Sequence, residues 1–117
     1  MAKRRCFSID FYESDVFLNI SNDAKALYLG LLLRADDDGA VINPNIILKL
    51  TGIPLKTLEE LYENNLLLNV DGVCIIKHWL CHNKIQPTRK VDSIFQKELE
   101  KLSVTQTKEY ILKEQSV

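Results

Sequence analysis

At 117 residues, 46% of them apolar and 26% charged, the chain suits one globular domain with a single core and excludes a disordered or collagen-like polymer. No run approaches the roughly 18 continuous apolar residues of a membrane span, and the basic start MAKRRC has no apolar stretch behind it, so the sequence predicts neither an anchor nor a secretory signal and places the chain in the cytoplasm. The net charge of −1 conceals segregation: Lys3, Arg4 and Arg5 give residues 1–9 a charge of +3, residues 10–71 carry −7, residues 72–91 hold Lys77, Lys84, Arg89 and Lys90 with no acid, and the remainder carries −1. A polyanion would therefore meet the protein at its N-terminal arm and at residues 72–91.

In chain order, Ser14 to Ile20 predicts a short helix with Ser14 as its N-cap and Val16, Phe17 and Ile20 on one face. Ser21 caps a stronger helix, in which Ala24, Leu27, Tyr28, Leu31 and Leu32 fall at helical spacing and which ends near Ala35. Asp36, Asp37 and Asp38 then oppose the helix dipole, so something else should favour them; a turn through Gly39 is the plainer reading, with a cation or a basic partner as the alternatives. Ala40 to Ile42 predicts a short strand.

Asn43 and Pro44 read as an N-cap and first helical residue, followed by the stripe Ile46, Ile47 and Leu50. Thr51, Gly52 and Ile53 break that helix, and Pro54 opens another in which Leu55, Leu58, Leu61 and Tyr62 share a face before Asn64 and Asn65 end it. Two short helices around a Gly-containing turn form a helix-turn-helix pattern. Next, Leu66–Val70 and Val73–Trp79 flank Asp71-Gly72, a strong hairpin signal. The order predicts a mainly α fold with a small β-hairpin, a winged helix-turn-helix, with its core at about residues 10–80 and a basic extension plus C-terminal helix at about 81–113. In that extension Val91 to Leu102 reads as an amphipathic helix and Thr105 to Lys113 as a further turn or two.

Zinc fits poorly. Cys74, His78, Cys81 and His82 lie within nine residues rather than as two separated pairs, and on a strand Cys74 and His78 stand roughly 13 Å apart at about 3.3 Å per residue. Three cysteines at irregular spacing suit reduced thiols, and no metal, cofactor or disulfide is expected. Catalysis fits no better, because Cys81 and His82 are sequence neighbours that point apart on an extended chain, and no phosphate-binding Gly loop, HExxH or GxSxG is present. The chain is read as non-enzymatic.

DNA, single- or double-stranded, is the partner that the composition favours. Lys3, Arg4, Arg5, Lys77, Lys84, Arg89 and Lys90 are the candidate phosphate contacts, with His78, Asn83, Gln86 and Thr88 beside them. Trp79 or His82 would stack on a base if exposed, though core is the stronger reading for Trp79. Lys56, Thr57 and Asn64 are the groove candidates on the second helix, which also carries Glu59, Glu60 and Glu63. Those three acids would repel phosphates, and they point to a protein partner or a second copy of the chain. An interaction or oligomerisation module and a winged-helix transcriptional regulator are thus the alternatives.

The stretch RRCFSIDFYESDVFLNISNDAKALYLGLLLRADDDGAVINPNIILKLTGI, followed by VDGVCIIKHWLCHNKIQPTRK, resembles the N-terminal domain of phage and prophage replisome organisers (replication initiation proteins) of Gram-positive hosts, and is similar to DnaD-type primosome proteins. The resemblance covers roughly residues 4–95, and its most specific parts are Ala26–Gly39, Asn43-Pro44 and Ile76–Arg89. It implies a winged helix that binds an origin or helps to assemble a primosome in a bacterial host cell, a homo-oligomer, and contacts to helicase-loading or other replisome proteins. It marks Lys77, His78, Asn83 and Arg89 as motif positions.

Overall fold

The computed structural model describes residues 4–113. Seven helices and five short strands among them form an α+β fold. None of these helices is long and apolar enough to cross a membrane. Two four-residue helices, α1 (Ile9–Tyr12) and α2 (Asp15–Leu18), precede the long α3 (Asn22–Arg34). The helix predicted over Ser14–Ile20 is shorter than expected; Ser14 holds its N-cap position, but its hydroxyl donates to the Phe11 carbonyl at 2.6 Å instead of capping an amide of α2. Phe17 and Ile20 are buried, whereas Val16 faces outward. Ser21 caps α3 as the sequence predicts, with its Oγ accepting from the Ala24 amide at 3.1 Å, and all five apolar residues of the expected stripe are buried.

Strand β1 (Ala40–Val41) leads to α4 (Asn45–Thr51) and α5 (Leu55–Glu63). Asn43 has a φ of 53° and does not cap α4; Pro44 takes the cap position, one residue later than predicted. Gly52, at φ 72°, ends α4 in the left-handed region that a Cβ disfavours. Asn64 closes α5 by donating its side-chain amide to the Glu60 carbonyl at 2.8 Å.

The hairpin β2 (Leu67–Val70) and β3 (Val73–Ile76) turns at Asp71 and Gly72, whose φ values of 51° and 86° are those of a type I′ turn. Strand β3 is central: β1 pairs with it antiparallel, Ala40 opposite Ile75, and β2 on its other side, Leu68 opposite Ile75, giving the order β1-β3-β2. One face of this sheet and the inner sides of α3 and α5 enclose Leu27, Leu31, Leu61, Leu66, Leu67 and Ile76. By the usual value of about 25 cal/mol per Å² of apolar area, each such side chain contributes roughly 2 kcal/mol.

Beyond β3 the chain departs from expectation. The strand stops at Ile76, and Trp79, predicted to lie in it, instead begins the four-residue helix α6 (Trp79–His82), fully buried. Its indole N–H donates to the Asp37 carbonyl at 3.0 Å. Gly39 is required there, since a Cβ at that position would lie 2.6 Å from Trp79 Cβ and its φ is +88°.

The helix predicted over Val91–Leu102 shrinks to α7 (Gln96–Leu99). The Val91 and Ser93 amides donate to the Asp37 and Asp38 carboxylates at 2.9 Å each, which holds the strap before α7 against the core and leaves Val91 and Ile94 52% and 77% exposed. The expected last helical turns are a second hairpin, β4 (Leu102–Val104) with β5 (Tyr110–Leu112). Tyr110, Ile111 and Leu112 favour strand, and Tyr110 joins the core unit twice, by its amide to the Lys77 carbonyl and by its hydroxyl to the Asp38 carbonyl.

Candidate nucleic-acid interface

The aspartate run is the hub on which the basic segments are arranged. Asp36 folds the turn, its Oδ1 accepting from the amides of Asp38 and Ala40 at 3.0 Å each. Asp37 receives Arg5 at 3.0 Å in a pair whose side chains are 2% and 0% exposed, and Arg5 also donates to the Ala35 carbonyl and lies 5.2 Å from the Trp79 ring centre. Burial alone would raise the Asp37 pKa, but the Val91 amide and the Arg5 guanidinium outweigh it and hold the carboxyl below its ordinary range. Asp38 receives Lys90 at 2.7 Å, and that hydrogen bond raises the ammonium's pKa, keeping it charged and engaged.

Arg5 and Lys90, predicted as phosphate contacts, thus face the protein's own carboxylates. Asn83 is withdrawn too: buried, it accepts from the Cys6 amide at 2.8 Å and donates back to the Cys6 carbonyl at 3.3 Å, so it pins the N-terminal arm as a strand partner would. Beside it, His82 is buried rather than exposed for stacking. Its Nδ1 accepts from the Ser8 amide at 3.0 Å, which places the ring proton on Nε2, 2.8 Å from the Tyr28 hydroxyl. Burial and then the neighbouring His78 lower the His82 pKa to about 4. His78 packs on Phe11, with ring centres 4.8 Å apart, and its Nε2 lies 3.5 Å from Glu109; Lys77 lies 3.7 Å from the same carboxylate.

What remains forms a group. Arg4, Lys84, Gln86 and Arg89 line one shallow hollow together with Cys6, Asn83 and Ile85, and no acidic side chain among the described residues lines it. Arg4, Lys84 and Arg89 are exposed and make no ion pair with any described residue. The arm and the segment after α6, about 80 residues apart in sequence, meet because Asn83 and Arg5 hold the arm down. Thr88 is exposed nearby in the same loop. Lys3 lies outside the described residues.

The α5 candidates do not form such a group. Thr57 is buried and Asn64 is the C-cap, which leaves Lys56 exposed beside Glu59 and Glu63. Glu60 bonds the Ser21 amide and hydroxyl at 2.8 Å each, tying α5 to the start of α3, so this acid is not presented to a partner. Cys6, Cys74 and Cys81 are free thiols, and no group of three His, Cys, Asp or Glu side chains among the described residues is arranged to hold a metal.

Sequence reasoning missed the pairing role of Asp37 and Asp38 and the part of Lys108, which lines a second hollow adjoining the first. Three acids against a helix dipole were the signal for the former; Lys108 carried none. No family model matches the chain, and no curated protein or solved structure is significantly similar to it.

Proposed function

We propose that this chain is a winged-helix DNA-binding module of the phage-type replication initiators that its sequence resembles, non-enzymatic and working as part of a replisome assembly. The observation that carries the reading is the hollow in which Arg4, Lys84 and Arg89 stand around Gln86 with no ion pair to, and no carboxylate lining from, any described residue. Cations so placed gain by releasing condensed counterions from a phosphate chain, a term that needs no base recognition. The order helix, β1, α4, α5, hairpin and the β1-β3-β2 sheet support the winged-helix assignment, with Asp71-Gly72 as a short wing. On this reading DNA lies against the arm and the loop after α6 rather than on α5, whose Glu59 and Glu63 would face phosphates.

That same acidic face favours a second reading, in which α5 meets a protein partner or a second copy of the chain. One experiment addresses both. Fluorescence anisotropy of single- and double-stranded DNA, titrated with the protein at several salt concentrations while its mass in solution is measured, should give binding that weakens steeply with salt. No binding, together with a dimer or larger species, would transfer the function to α5.

A further inference from the structure

The basic hollow shares a wall with a second one. Asn83, Lys84 and Ile85 line both, and the second continues over Leu80 and Val104 with Trp79 beneath and Lys108 on its rim. Its volume is about 290 Å³, near the lower end of small-ligand pockets, which start at roughly 300 Å³. Walls of Leu80, Ile85 and Val104 do not suit a phosphate, which would lose its hydration without gaining donors. They suit a flat, weakly polar group attached to one.

Resting on the nucleic-acid reading above, we propose that this second hollow receives the base of one unpaired nucleotide, whose flanking phosphates lie on Lys84 and Lys108 and continue toward Arg4 and Arg89. A base in a duplex is stacked and paired, so the ligand is single-stranded DNA. Two acids line the hollow without opposing this path, because their oxygens are occupied: Asp37 by Arg5 and the Val91 amide, Asp38 by Lys90 and the Ser93 amide.

The neutral polar side chains that could read base identity are already engaged: the Asn83 amide bonds Cys6 and the Trp79 indole N–H bonds the Asp37 carbonyl. The pocket therefore accepts any base of suitable size, and its contribution is apolar contact rather than hydrogen-bonded readout.

The test compares wild-type protein on an oligothymidylate and on a fully abasic strand of the same length and charge, at one fixed salt concentration. The intact strand should bind about tenfold more tightly, the order of effect that removing one well-packed base produces. Val104 is half exposed on β4, so Val104→Trp would fill the hollow without entering the core, and it should remove that difference while leaving abasic binding unchanged. Equal wild-type affinity for the two strands would overturn the base pocket and leave the phosphate-binding reading standing. A difference that survives Val104→Trp would place the base elsewhere and also overturn it. Failure of both strands to bind would overturn the pocket, and the nucleic-acid reading would fall with it only if a duplex of the same length also failed to bind.

Discussion

Arg4 and Arg5 are adjacent in sequence, yet they stand in two different regions of the molecule. Arg5 is sealed against Asp37 under the N-terminal arm, whereas Arg4 is exposed at the edge of the basic hollow. Residues 84–90 divide in the same way, with Lys84 and Arg89 in the hollow and Lys90 turned onto Asp38. The difference teaches that positive charge in a sequence marks where a polyanion could bind only after the protein's own acids have taken their share. The paired cations build the surface, and those that pair with no described residue stand exposed on it.

The strongest way to sharpen this contrast is to remove the acid from the sealed side. Asp37→Ala leaves the Arg5 guanidinium buried without a counter-charge and should cost about 3–5 kcal/mol of stability in urea denaturation. A loss below about 1 kcal/mol would mean that Arg5 is solvated and that the two regions are not distinct.

Acid should loosen the same side next. His82 is bound neutral with its pKa lowered from 6.5 to about 4 by burial and by His78, and burial lowers that of His78 too. The unfolded chain therefore takes up protons that the folded one refuses. For His82 stability should be full above about pH 6.5, fall as pH drops toward 4 and level off below it, by about 3 kcal/mol at most. A denaturation midpoint that stays flat over this window would contradict the neutral His82 that anchors Ser8.

Two smaller effects probe the boundary. Lys90→Ala breaks a pair that is partly exposed, so it should cost less than about 1 kcal/mol, and it should lower DNA affinity by uncovering Asp38 while leaving the slope of log affinity against log salt unchanged, because Lys90 is already occupied. A reduced slope would return Lys90 to the phosphate contacts. Reversing Glu59 and Glu63 to Lys should alter stability by no more than about 0.5 kcal/mol and raise DNA affinity, with the mass in solution unchanged. A dimer that dissociates on that reversal would favour the second reading of α5.

The N-terminal two thirds of the fold was legible because its signals are local. Ser21 caps α3, the Asp71-Gly72 pair can adopt the two positive φ values of a tight hairpin, and the α3 and α5 stripes repeat at helical spacing. The C-terminal third was not, because there a long-range contact outweighs a local pattern. Val91, Ile94, Phe95 and Leu99 have helical spacing, but the Val91 and Ser93 amides are held by carboxylates more than 50 residues away. The site divides similarly. Composition located both basic segments, and nothing in the sequence says which cation meets an aspartate, since that depends on how the arm crosses α6.

The most direct test replaces the three cations that pair with no described residue, Arg4, Lys84 and Arg89, to Ala together, and measures DNA anisotropy against salt. The slope of log affinity against log salt should fall by about two units on a single strand and nearly three on a duplex, with the denaturation midpoint unchanged. An unchanged slope in a folded variant would show that the hollow does not hold phosphate, and the account of this surface would be wrong.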